Sequence, residues 1–168
     1  MATNIVTSIT YFGKAIDDSR IWLRWYEFSV DLFKKIEYIA NYVSIKSQSM
    51  SSGKVMKIER VEKKIKKVIE NGESIRRLSL FSLPPNFSSA SFDYNVMAVR
   101  SSDFLTLILD SDIYDNKISF EIIDSLKKYI KPEKGEIYTM DRYDSPLAYA
   151  FRVNPIDSFK SLNIIKKL

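Results

Sequence analysis

Cysteine and histidine are both absent from this 168-residue sequence. Without cysteine the chain has no disulfide, no thiolate metal site and no thiol nucleophile. Without histidine it lacks the commonest general base at neutral pH and the commonest zinc ligand, which excludes histidine-dependent triads, nucleases and zinc hydrolases. Glycine (4) and proline (5) are too scarce for a fibrous or low-complexity chain. No apolar run approaches the roughly 18 residues that mark a transmembrane helix. The opening MATNIVTSITYFGK alternates in polarity instead of placing an apolar stretch behind a basic start, so no signal peptide is expected. These absences fit a soluble, cytoplasmic protein without a membrane partner, and no motif calls for a metal or cofactor.

What is present suits one folded domain. The length is that of a single domain with a real core, and the 45% hydrophobic fraction is ordinary for a globular chain. Ten tyrosines, ten phenylalanines and two tryptophans are enough to fill a core and still anchor a partner. The formal charge is +5, unevenly placed. The Lys54–Arg77 segment holds nine basic and four acidic residues, whereas the rest of the chain holds 17 of each sign. All the net charge lies in that segment, a candidate surface for an acidic protein or a nucleic acid.

Periodicity sets the expected elements. Val6 to Phe12 alternates as a strand ending at Gly13, and Asp17, Asp18 and Ser19 are candidate helix N-caps. Ile21, Trp25, Phe28, Leu32, Ile36, Ile39 and Val43 recur at three and four, which predicts one long helix over 19–45; the aromatic run 21–28 also permits a strand. A polar loop around Gly53 precedes a lysine-rich helix from Lys54 or Ile58 to Asn71, stopped by Gly72. Strands are expected over Arg77–Leu83, Phe92–Arg100 and Phe104–Leu109. The last is apolar on both faces and therefore central. A loop at Asp115–Lys117, a helix over Phe120–Ile130 and short strands over Ile137–Met140 and Leu147–Val153 follow. The predicted architecture is α+β, a mainly antiparallel sheet packed against two or three helices, with one domain over 1–155 and a tail or short helix over 156–168.

Three groups of residues invite a functional reading. Lys57, Arg60, Lys63, Lys64, Lys66 and Lys67 could meet phosphates or steer a protein partner; a plain solvated helix face, paired with Glu59, Glu62 and Glu70, explains them as well. Asp110, Asp112 and Asp115 could hold magnesium at a strand end, or simply form a polar loop. Arg142, Tyr143 and Asp144 have the composition of an interface hot spot, as do Arg100 and Asp103 in the turn between two strands. Trp25 belongs to the apolar stripe, while Trp22 lies at its edge and is a candidate exposed anchor. No paired carboxylates or phosphate loop mark a catalytic site, and the expectation is a binding protein rather than an enzyme.

The order of motifs carries a resemblance. ITYFG, DDSR, LSLFSLPP, SFDYNVMAVR, FLTLILD and KPEKGEIYTM, spread over residues 5 to 140, resemble the Imm52-like immunity proteins of bacterial polymorphic toxin systems. That family has a tryptophan-, aspartate- and proline-containing turn before its last short strand. Here Tyr129 and Pro132 stand near those places and the tryptophan is missing. The resemblance implies a protein that binds a cognate toxin, a nuclease in related systems, and blocks its active site. It transfers no catalytic residue. The expected partner-binding residues are Lys63, Lys64 and Lys67 for steering, with Arg100, Asp103, Arg142, Tyr143 and Asp144 as anchors. Inhibitors of nucleases are often acidic, so the basic charge implies either an acidic toxin surface or a contact that avoids the lysine helix. The alternative is a small basic nucleic-acid-binding module using the Lys54–Arg77 segment.

Overall fold

Strict alternation makes the first strand, and complementary alternation in its neighbours makes the sheet. The computed structural model describes residues 4–152 and 154–168. It is a single α+β domain. Eight strands, β1 (Ile5–Lys14), β2 (Tyr42–Ser47), β3 (Met56–Lys57), β4 (Ile75–Ser82), β5 (Val96–Ser101), β6 (Phe104–Asp110), β7 (Lys131–Asp141) and β8 (Asn163–Lys167), form one sheet in the order β3-β2-β4-β5-β6-β1-β7-β8. Every pairing is antiparallel. The helices are α1 (Ser19–Lys35), α2 (Ile58–Glu70), α3 (Ala90–Asp93), α4 (Ser111–Lys117), α5 (Phe120–Ser125) and α6 (Pro146–Phe151).

The sheet separates two cores. Ile9, Tyr11, Leu78, Leu80, Ala98, Leu105, Leu107 and Leu109 point to one face and meet Trp25, Phe33, Ile65, Ile69 and Ile123 from α1, α2 and α5. Val6, Phe12, Phe81, Met97, Phe104, Ile108, Tyr138 and Met140 point to the other and are covered by Tyr149 and Ala150 of α6 with Phe159. β6 is buried along its whole length. Its double-faced apolar composition is that of a strand covered on both sides.

Several expectations change. The long helix stops at Lys35, and 21–28 are helical. Glu37 takes a left-handed φ of 69°, which an L-residue enters at a cost and which ends the helix. Beyond it Val43 and Ile45 serve as alternate inward residues of β2, so the apparent helical period there was really a period of two. Phe92 belongs to α3 and its strand starts at Val96. The Asp115–Lys117 loop is the end of α4, and the 120–130 helix tightens into a 3-10 turn after Ser125. Residues 147–151 are helical, because the Ser145 hydroxyl accepts from the Ala148 amide (3.2 Å) and Pro146 takes the first helical position; Val153, the end of the expected strand, lies outside the described residues. Residues 163–167 are no loose tail but the eighth strand, paired to β7. Both sheet edges are blunted: β3 has two residues, and β8 carries a register shift and two exposed lysines.

Candidate functional site

The register places the N-terminal ends of β1, β2 and β5 and the C-terminal ends of β3, β4, β6 and β7 together. The segments leaving the sheet there are 36–41, 83–95, α4 and the turn 142–144. Three clefts open among them. One of about 660 Å³ is lined by Ile39, Tyr42, Ile58, Glu59, Pro84 and Pro85 among others. A second of about 510 Å³ is lined by Pro84, Phe87, Phe92, Asp93, Arg142 and Tyr143 among others. A third of about 340 Å³ includes Glu37, Tyr38, Asp112 and Lys117. Pro84 borders the first two, and the 36–42 stretch runs through the first and third, so the clefts form one surface.

Hydrogen bonds fix its scaffold. Asn41 joins three segments: its amide donates to the Phe81 carbonyl (3.0 Å), its side chain donates to the Leu83 carbonyl and accepts from the Leu83 amide (both 2.9 Å), and its carbonyl accepts from Ile58 (3.0 Å). This pins the Pro84–Pro85 corner against the start of α2. Asp93 accepts from the Ser88 and Ser89 amides (both 2.8 Å) and the Ser88 hydroxyl (3.0 Å). Those bonds, and more weakly the Arg142 charge, hold its carboxyl below the usual range.

Arg142 links this loop to the next. Its guanidinium donates through one nitrogen to the carbonyls of Phe92 (2.9 Å) and Tyr94 (2.8 Å), lies 5.2 Å from the Tyr94 ring, and is buried. The neighbouring side chain, Tyr143, is thereby pushed out and is 61% exposed, its ring 5.9 Å from Phe92. The Tyr143 amide donates to the Asp141 carboxylate (2.9 Å), and Asp144 accepts from Ser161. Ile39 is 72% exposed on the far side of Pro84. Exposed aromatic and aliphatic groups thus stand on a braced backbone, rimmed by Glu59, Glu62, Asp93 and Asp112, with Lys57 and a Glu37–Lys117 ion pair (3.4 Å) beside them. Such a surface can desolvate against a partner with little ordering cost.

The eight residues expected to bind a partner do not converge. Arg142, Tyr143 and Asp144 lie on this surface, though Arg142 acts as a brace rather than a contact. Asp103 is exposed at the opposite end of β6, about 20 Å away at the usual rise per residue. Lys63, Lys64 and Lys67 are exposed on the outer side of α2. Arg100 must be corrected: it is fully buried and offers nothing to a partner. Its guanidinium donates to the carbonyls of Tyr129 (2.7 Å) and Ile16 (2.9 Å) and lies 4.2 Å from the Trp22 ring. Burial pulls its pKa down to about 10, and Asp17 and Asp18 act in the other direction. Trp22 is likewise no exposed anchor; it is buried and donates to Asp17 (2.9 Å). The alternating β5 pattern places Arg100 on the inward face, which the turn-like RSSD sequence obscured.

The acidic trio near β6 resolves as local structure. Asp110 caps α4 by accepting from the Asp112 amide (2.9 Å). Among the described residues no cluster of three or more acidic ligands could hold a metal ion, and no helix is long and apolar enough to cross a membrane. Sequence reasoning missed Ile39, Asn41, Pro84 and Phe87; the Pro-Pro-Asn-Phe run was the available signal, since it combines a rigid turn with an aromatic group. No protein-family model matches this chain, and no curated protein or solved structure matches it.

Proposed function

We propose that this chain is an immunity protein that neutralises a cognate bacterial toxin by binding it through the aromatic, acid-rimmed end of the sheet. The observation that carries the reading is Tyr143, an exposed aromatic on a turn anchored by the buried Arg142 and bordering a cleft. Exposed aromatics on braced turns are the composition and mechanics of interface hot spots. A stable contact buries roughly 1,600 Å² in total, and clefts running from Ile39 to Tyr143 give a surface on which to centre it. The charge puzzle posed by a basic inhibitor of a nuclease finds an answer here. The acidic rim suits a basic, nucleic-acid-binding groove, and the contact leaves the exposed lysines of α2 outside it. Inhibition then needs occlusion and affinity, not chemistry.

Co-expression with toxins captured from the native lysate by the tagged chain tests the proposal. Tyr143→Ala combined with Ile39→Asp abolishes protection and complex formation in a folded protein. Full protection by that double variant refutes this surface, and the absence of any neutralised toxin refutes the immunity reading.

One observation favours the nucleic-acid alternative: Lys63, Lys64 and Lys67 are exposed on α2, whose one ion pair among the described residues joins Lys66 to Glu62 at 3.3 Å. Oligonucleotide binding that weakens steeply with salt and disappears on reversing those three lysines would establish it.

A further inference from the structure

Three arginines are withdrawn from solvent, and two of them are supplied with oxygen. Arg100 and Arg142 each donate to two main-chain carbonyls. Arg77, partly buried, has no oxygen partner among the described residues; its guanidinium lies 5.2 Å from the Phe151 ring. Burial lowers its pKa, the sign of a cation losing hydration without an anion in return. Directly opposite it across the β2–β4 ladder stands Lys46, so two like charges occupy a cross-strand pair, an arrangement that destabilises a sheet.

One side of this pair is closely packed and the other opens on a hollow. Gly53, with φ +65°, sits against both cations: a side chain there would begin 3.1 Å from Lys46 Cε and 3.5 Å from Arg77 Nη2. The ladder shifts register between Lys46 and Ser47, which makes Arg76 the extra residue of a bulge. Beside it opens a hollow of about 370 Å³ lined by Lys46, Ser47, Gln48, Ser51, Ser74 and Arg76, with no carboxylate in its wall. Two acids stand at its edge, Asp17 on the Ser74 hydroxyl and Glu73 beside Ser47 and Ser49, while among the described residues the cations in its wall have none of their own. Glu73 accepts from the Ser49 amide and hydroxyl, and Asp17 accepts from Ser74, Trp22 and Ile75. Among the described residues no ion pair reaches Lys46, Arg76 or Arg77.

We propose that Lys46, Arg76 and Arg77 form a binding site for a phosphate-type oxyanion at the end of the sheet opposite the aromatic surface. Lys46 and Arg76 line the hollow and offer a point charge and a planar guanidinium, Arg77 adds its charge from across the ladder, and the Ser51 hydroxyl is a further donor. The anion relieves both the cross-strand repulsion and the unpaired half-burial of Arg77. This site is independent of the toxin-binding reading.

The test uses the full chain titrated with inorganic phosphate at constant ionic strength, with chloride as the control salt, followed by amide NMR shifts and the thermal midpoint. Saturable shifts at Lys46, Gly53 and Arg77 are expected, with a raised midpoint in phosphate over chloride. Lys46→Gln and, separately, Arg77→Gln weaken binding about tenfold or more, the scale of one lost charge-assisted bond. Lys34→Gln, an exposed lysine on α1, leaves it unchanged. Lys46 is partly exposed, so its variant remains informative if the Arg77 variant folds poorly. An oligonucleotide that displaces phosphate from the same residues and binds more tightly identifies a phosphodiester as the source of the anion; no displacement identifies free phosphate or a monoester. Shifts identical in chloride and phosphate, no saturation, or equal weakening by Lys34→Gln would overturn the site.

Discussion

The two ends of the sheet use buried arginine to opposite effect. At one end Arg142 ties the 83–95 loop to the 142–144 turn, and by occupying the inside it forces Tyr143 out. At the other, Arg100 ties the β1–α1 connection to the turn before β7 and forces nothing out; Trp22 closes over it. One arginine builds a surface and the other builds a core. The difference is not in the residue type but in what stands beside it: a polar turn after Arg142, an apolar helix over Arg100. A charged side chain in a candidate list therefore says little until its neighbours are known.

The largest expected effect breaks the core arginine. Arg100→Ala strands two carbonyls and leaves Trp22 over a cavity, at a cost of about 3–5 kcal/mol. Urea denaturation monitored by tryptophan fluorescence checks this, and a loss below about 1 kcal/mol would show that the buried charge is dispensable. The surface tyrosine behaves the other way. Tyr143→Ala changes stability by less than about 0.5 kcal/mol, yet weakens the toxin complex by about 2 kcal/mol or more, which calorimetric titration resolves. Equal losses in stability and affinity would erase the contrast between the ends.

A smaller effect follows from charge at a distance. If a basic toxin docks at the acidic rim, Lys63, Lys64 and Lys67 repel it slightly. Reversing all three to glutamate then speeds association severalfold at low salt, and the gain vanishes as salt rises. Stopped-flow association rates decide it; a slower encounter would mean instead that these lysines steer an acidic partner.

The smallest expected effect is acid sensitivity. Asp93 has a folded pKa below its unfolded one because the 88–89 amides and hydroxyl bond its ionised form. Its contribution is complete above the unfolded value of about 3.9 and disappears as pH falls through the lower folded value. Denaturation midpoints between pH 6 and pH 2 should fall less steeply at the acid end in Asp93→Asn than in the parent. An identical slope would show that this carboxylate does not hold the loop.

Much of the fold was readable along the chain. The alternation of β1 and β4 and the double-faced apolar run of β6 marked three inner strands, because side-chain direction in a strand depends only on a period of two. The Gly72 stop of α2 was also readable, because it depends only on local backbone preference. Failures clustered where two periods coincide. Ile36, Ile39 and Val43 fit a helix as well as a helix-turn-strand, and Leu147 to Phe151 fit either state until Ser145 and Pro146 are seen to cap it.

The surface was less readable. Tyr143 and Asp144 stood out by composition, but Ile39, Asn41 and Pro84 are distant in sequence and come to the same end of the sheet only because the antiparallel register brings alternate strand ends together. Lys46 and Arg77 likewise become a pair of opposed cations only through the β2–β4 ladder. By itself the sequence determined an α+β chain without thiol or imidazole chemistry, with a central apolar strand and a lysine-rich amphipathic helix. Composition and short-range periodicity suffice for those features. Tertiary structure decided which arginines are buried, which aromatics are exposed, and which charges face one another, because each depends on contacts between residues tens of positions apart.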